Sequence, residues 1–375
     1  MATDLIYHET FTKHILSPGH PESPKRLRVA LERIGSTGLI ESSKVNIANP
    51  EKADLSEVLA LHGDAYIQEL HAKSEKGGGF FTLDTSVNEY TYDAALLAAG
   101  GGILAVDRIQ DGVSENAYVL CRPPGHHAEH SRAFGFCFIN NIAVAAQHLI
   151  EKRDLERVLI VDYDAHHGNG TQSAFYSSNR ALYIGLHQDG RTLFPGSGFP
   201  NEIGSGKGEG YNVNLAMHPG AGDRSYEMAF QRVVEPIVAS FNPEFILVSV
   251  GFDGHFSDPL TSLGLTTSGL STMNAKLHAM ARKHSHGRIA FFLEGGYNLD
   301  IVGGGSQNLV EQLAGAPITR FEDSHMESDN CTEYTKALLD GMDGMLGGKW
   351  KLQSSEDSKS SNRVCIGPKS SSEEA

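Results

Sequence analysis

Four consecutive apolar residues, Val158, Leu159, Ile160 and Val161, run directly into Asp162, Asp164 and His166, and this stretch constrains the fold more than any other. A strand half exposed to water alternates apolar with polar residues, whereas a strand buried on both faces reads as an unbroken apolar run. The pattern recurs. Runs of the same kind cover residues 117–121, 181–186, 245–250 and 289–293, and helix-period segments separate most of them, including 142–152, 225–241 and 269–283. Strand and helix in alternation predict an α/β fold, a parallel β-sheet sandwiched by helices in three layers. A chain of 375 residues is long enough to bury a core of that size. No internal repeat is visible. The glycine-rich run from Gly204 to Gly210 neither follows a strand nor opens a helix, so it reads as a loop and not as a nucleotide site.

Each apolar run ends in polar groups. Arg122, His126 and His127 follow the first, and Asp162, Asp164, His166 and Asn169 follow the second. His187 follows the third, Asp253 the fourth, and Glu294 and Tyr297 the last. In open parallel sheets the ligand site lies at the carboxyl ends of the strands, so these groups converge on one edge. Residues two apart in a strand share a side, which lines up Asp162, Asp164 and His166. Three protein ligands and an open position are the pattern of a catalytic zinc site, and Asp164, His166 and Asp253 supply that set. A metal there polarises a carbonyl and acidifies water. The tandem His126 and His127 provide a proton carrier, oriented by Asp162 and Asn169, one ionic and one neutral partner that push the two imidazoles apart in pKa. Tyr297, on a Gly-Gly turn, can donate its hydroxyl to an oxyanion. Taken singly, a His pair or an Asp after a strand is ordinary loop chemistry; the conjunction at one sheet edge points to a metal-dependent hydrolase.

The remaining chain frames that site. Residues 20–27, HPESPKRL, form a Pro-punctuated loop into a helix that begins near Pro24 or Lys25, with Arg26 out of place on an apolar face. Residues 55–73 read as one helix with His62 a structural histidine, Gly77 to Gly79 as a loop, and residues 92–108 as an Ala/Gly-rich helix packed closely on something flat. Beyond about residue 345 serine becomes frequent, so residues 1–345 are read as a single catalytic domain and 346–375 as a disordered tail. A net charge of −15 argues against a general nucleic-acid binder. The N-terminus lacks a secretory pattern and no run is long enough to span a membrane. Cys121, Cys137, Cys331 and Cys365 show no paired spacing and read as reduced thiols of an intracellular protein.

Four blocks in order, RPPGHHA, DYDAHHGNGTQ, GFDGHFSDPL and LEGGYNL, resemble the signatures of the zinc-dependent histone deacetylase superfamily, which also includes acetylpolyamine amidohydrolases and acetoin-utilisation proteins. The similarity covers about residues 4 to 320, and the GNGTQ and LEGGY forms look like its class II branch. The resemblance implies an arginase/deacetylase-like fold with one Zn²⁺ per chain on Asp164, His166 and Asp253. It makes His127 the general acid/base, His126 its electrostatic partner, and Tyr297 the group that polarises the scissile carbonyl. Gly135, Phe136 and Phe194 match the walls of the acyl-lysine channel, and Arg26 matches an arginine of an internal acetate pocket. Leu260 stands where polyamine-specific relatives carry Glu, which favours acyl-lysine as substrate. The loop around Asp84 aligns only with a gap and receives no role. Structural K⁺ near Asp162, Asp164 and His166 is also implied.

The activity expected from the resemblance is removal of acetyl groups from N-acetyl-lysine in histones or other proteins, in chromatin and transcription regulation, in the nucleus, the cytoplasm or both. Its partners are then the acetylated protein and a corepressor or a second copy, with no nucleic acid or membrane. Alternatives are deacetylation of small acetylated amines, a binuclear ureohydrolase suggested by DAHH, and a silent acetyl-lysine-binding scaffold.

Overall fold

The computed structural model describes residues 2–353. Eight strands form one sheet: β1 (Thr3–Ile6), β2 (Val45–Ala48), β5 (Asn116–Val119), β6 (Val158–Asp162), β7 (Ala181–Gln188), β8 (Asn212–Met217), β9 (Phe245–Val250) and β10 (Ile289–Leu293), with a separate hairpin of β3 (Gly78–Phe80) and β4 (Ser86–Asn88). The order across the large sheet is β2-β1-β5-β10-β9-β6-β7-β8, and every neighbouring pair is parallel. All residues of β6, β9 and β10 are buried, which is why they carry no polar alternation.

Helices Thr91–Gln110 and Asn141–Lys152 cover one face. The first bears Gly100, Gly101 and Gly102, and a Cβ on Gly102 would come within 2.8 Å of the Phe292 ring in β10. Small residues thus let the helix lie directly on the sheet. Helices Lys25–Gly35, Thr267–His284 and Leu299–Leu313 cover the other face, tied to it by Tyr163 Oη donating to Asn274 Oδ1 at 2.6 Å.

Several elements depart from the sequence expectation. The helix expected over 55–73 is two, Leu55–Leu59 and Asp64–Glu75, broken at Gly63, whose N–H donates to His130 O at 2.7 Å. Gly77 to Gly79 are not a plain loop but enter the hairpin. The run 225–241 is helical throughout but passes through a π-turn at Phe230–Val234, just before Pro236, which has no N–H to give to a regular turn. The body also continues past residue 345. Leu346 and Trp350 are buried, and the indole N–H donates to Gly210 O at 2.7 Å while the ring stands edge-on to Tyr211. Most of the expected tail, residues 354–375, lies outside the described residues. Among the described residues no helix is long and apolar enough to cross a membrane.

Candidate active site

Asp162 is the last residue of β6, and the chain then opens into a loop that carries Asp164 and His166. Asp253 follows β9, Tyr297 follows β10, and His126 and His127 follow β5. These four strands are adjacent in the sheet, so the groups meet at one carboxyl edge. His187 is the exception: it lies within β7, its Nε2 is 3.0 Å from Gly198 O, and it packs against His167 away from the other groups.

The ligand atoms of Asp164, His166 and Asp253 all lie within 4.8 Å of one another. His166 Nδ1 is 3.1 Å from Asp164 Oδ1 and 3.0 Å from Asp253 Oδ2. Backbone N–H groups also hold both carboxylates: Asp164 accepts from His166 at 2.9 Å and from Gly295 at 2.7 Å, and Asp253 accepts from Ala165 at 2.9 Å. A Cβ on Gly295 would lie 2.2 Å from Asp253 Oδ2, and one on Gly251 2.3 Å from Asp164 Oδ2. Glycine at both positions is what allows the carboxylates to close on a common point. Two fully buried carboxylates so near each other require positive charge between them. Burial opposes a charge on His166, but Asp164 and Asp253 outweigh it and lift the imidazole to about 10. Two carboxylate oxygens and a nitrogen converging in this way fit a divalent cation.

Beside this set the tandem histidines differ sharply. His126 Nδ1 sits 3.1 Å from Asp162 Oδ2, and His127 Nδ1 sits 2.7 Å from Asn169 Oδ1. Burial works against a charge on His126, yet Asp162, Asp164 and Glu294 push it up to about 10. His127 has burial and then the nearby His126 and His166 acting in the same direction, which hold it well below the usual imidazole range. One imidazole is therefore cationic and its neighbour neutral at pH 7. Burial, with Asp253, raises the Tyr297 phenol well above its usual range, so it stays a hydrogen-bond donor.

A cavity of about 230 Å³ leads to these groups, and Gly135, Phe136, Phe194 and Leu260 contribute to its walls. Gly135 (φ +53°) and Phe136 (φ +69°) are both left-handed, and a Cβ on Gly135 would come 2.4 Å from His127 Cδ2. The Phe194 ring stands edge-on to His127 at 5.1 Å. A larger cleft of about 560 Å³ opens beside Thr3, Lys44 and Glu115, at the amino ends of the strands, where parallel sheets do not place ligand sites.

A histone deacetylase domain model matches residues 20–313. The chain belongs to the histone deacetylase family. It is 44% identical over 300 residues to a probable deacetylase of Archaeoglobus fulgidus, covering 80% of this chain and 82% of that protein. It is 37% identical over 297 residues to a histone deacetylase-like amidohydrolase of Pseudomonas aeruginosa, covering 79% and 77%. The crystal structure of the HDA15 HD domain matches with a TM-score of 0.84 at 34% identity, over 93% of this chain and 95% of that one. The histone deacetylase fold and a hydrolytic deacetylase activity follow for this chain, in a family that is generally metal-dependent.

One assigned residue stands apart from the cavity. Arg26 does not line it. Its guanidinium is spent below the site, Nε donating to Gly296 O at 2.6 Å, Nη2 to Glu294 O at 2.5 Å and Nη1 to Glu22 Oε1 at 3.2 Å, with the Tyr297 ring 5.2 Å away. It holds the Gly-Gly-Tyr turn. Three other carboxylates had no role in the sequence reading. Asp84, exposed on the tip between β3 and β4, reaches the cavity mouth. Glu294 Oε2 accepts from the N–H groups of Gly125 and His126 at 2.7 and 3.1 Å and so sets the His-His turn. Asp258 accepts from Leu260 N (2.9 Å) with one oxygen and from Tyr297 N (2.7 Å) with the other, joining the cavity rim to the tyrosine turn. Asp258 precedes the Pro259-Leu260 step and could be recognised as a turn carboxylate from sequence; Asp84 carries no such signal.

Proposed function

We propose that this histone deacetylase family member is a Zn²⁺-dependent deacetylase of N-acetyl-lysine in proteins. The observation that carries the reading is the position of His127, backed by Asn169, beside the Asp164–His166–Asp253 set at the floor of a cavity walled by Phe136 and Phe194. Phe136 and Phe194 suit a methylene stem and exclude water around it. Asp164, His166 and Asp253 would hold the metal, which supplies Lewis-acid polarisation of the acetamide carbonyl. His127 Nε2 accepts a proton from the attacking water and returns it to the departing lysine Nζ, so that acetate and free amine leave. His126 stays protonated against Asp162 and offsets the negative charge that develops nearby. Tyr297 Oη donates to the carbonyl oxygen as it becomes an oxyanion.

Deacetylation of small cationic amines is a second reading, favoured by the Asp84 carboxylate at the cavity mouth. The purified protein, its bound metal quantified, is assayed on an acetyl-lysine peptide and on acetylated polyamines. Faster peptide turnover that is lost on chelation and in His127→Ala is expected. Faster polyamine turnover favours the second reading, and turnover on neither substrate by metal-loaded protein refutes both.

A further inference from the structure

His127 is held from behind by more than its direct partner. Asn169 Oδ1 lies 2.7 Å from His127 Nδ1, and Asn169 Nδ2 in turn donates to Glu129 Oε1, also at 2.7 Å. The end of an asparagine has an accepting face and a donating face. With the oxygen toward His127, Nδ1 carries the proton and the Nε2 lone pair is free to act as base. With the amide reversed, its NH₂ donates to Nδ1, the ring proton moves to Nε2, and the base is lost. The backbone offers little to choose between the two, since the contact of Asn169 Nδ2 with His127 O is 3.5 Å. A carboxylate only accepts. Reversal would set the asparagine oxygen against Glu129 Oε1, two acceptors at hydrogen-bond distance with no proton between them.

Glu129 is itself anchored. Its N–H donates to Arg132 O at 3.0 Å, and its carbonyl oxygen lies 2.9 Å from His62 Nδ1. His62 accepts the Asn140 N–H on its other nitrogen at 3.0 Å, which leaves Nδ1 to carry the proton toward Glu129. The satisfied histidine at the break between two helices therefore locates the carboxylate that orients the amide. The geometry points to Glu129 as a positioning residue: it fixes the orientation of Asn169 and through it the tautomer of His127. The inference rests on the reading of His127 as the proton carrier. Glu129 does not line the cavity and is not assigned a contact with substrate. A carboxylate at position 169 would present an oxygen either way round and would need no such partner; the asparagine does.

The test uses the full-length, metal-loaded protein on an acetyl-lysine peptide, with metal content and thermal midpoint measured alongside. Glu129→Ala is expected to lower kcat by about ten- to a hundredfold, as loss of a supporting partner typically does, with KM and metal content little changed. Glu129→Gln keeps an oxygen that accepts from Asn169 and should recover kcat to within about threefold of wild type. In an Asn169→Asp background the effect reverses: the introduced carboxylate faces Glu129, and adding Glu129→Gln, which can donate, raises kcat. Should Glu129→Ala not fold, that reversal decides. A Glu129→Ala kcat within about twofold of wild type, a Gln variant as impaired as Ala, or no gain in the double variant overturns the inference and leaves the deacetylase reading standing. Absence of turnover in the wild-type protein fails the deacetylase reading instead.

Discussion

Glu22→Gln removes the carboxylate shared by two guanidiniums, Arg26 and Arg122, and all three side chains are 0% exposed. Arg26 holds the turn that carries Tyr297, as described above. Arg122 donates to Phe11 O and His14 O at 2.8 and 3.0 Å and opens the loop to His126 and His127. The glutamate thus sits beneath both halves of the active site. Breaking a buried ion pair from one side costs about 3–5 kcal/mol, because the remaining charges stay buried without compensation. A second route to the magnitude is the carboxyl group's own titration. Burial alone would raise it, but Arg122 and then Arg26 overcome burial and hold it at about 2, against an ordinary 4.5. A difference of about 2.5 units corresponds to about 3 kcal/mol. Because the folded-state value is the lower one, this stability is complete above pH 4.5 and is lost as the pH falls toward 2. About 2 kcal/mol of it should be gone by pH 3. Urea unfolding followed by far-UV circular dichroism at pH 7 and pH 3 measures both quantities. The variant should be at least about 3 kcal/mol less stable at pH 7, and the gap should narrow by about 2 kcal/mol at pH 3. A gap below about 1 kcal/mol at pH 7, or an equal gap at both pH values, refutes the reasoning.

The other expectations concern the site itself. Tyr297→Phe should lower kcat by about a hundredfold or more while peptide binding persists, since one oxyanion donor is lost; near-normal turnover rejects that role. Asp253→Ala should lose its metal, read by elemental analysis, because the ligand set drops to two; a full metal complement would show that the three groups do not form the site. Leu260→Glu places a carboxylate at a rim position that is 38% exposed and should move the ratio of polyamine to peptide turnover toward the amine, whereas an unchanged ratio removes Leu260 from substrate selection.

What sequence reasoning recovers here follows from where residues are buried. β6, β9 and β10 are enclosed on both faces, so their apolar runs are unbroken and their polar ends stand out. That contrast exposes Asp164, His166, Asp253 and Tyr297. β1 and β8 were missed because buried polar residues interrupt them: Asp4 is paired with Arg108, and Asn212 and Asn214 hydrogen-bond to Gln172. β2 is an edge strand of pattern buried, exposed, exposed, intermediate, and offers no period to read. Glu129 and Asp84 stayed hidden for another reason. Their partners lie 40 residues or more away or across an open cavity, and loop carboxylates have no periodicity that marks a tertiary bond.

The strand order β2-β1-β5-β10-β9-β6-β7-β8 also governs how the molecule is made. During synthesis β1, β2 and β5 emerge early and can pair with one another, as can β6, β7 and β8, but neither half has a neighbour on its inner edge until residues 245–293 follow. His126 and His127 hang from the first half, whereas Asp164, His166 and later Asp253 hang from the second. Insertion of β10 between β5 and β9 is the event that brings them together. Such long-range parallel pairing is slow and leaves unpaired edges exposed in the meantime. A chain stalled before Leu293 therefore presents two open sheet edges and no assembled hydrolase, and its exposure to aggregation is set by how quickly one late strand finds its slot.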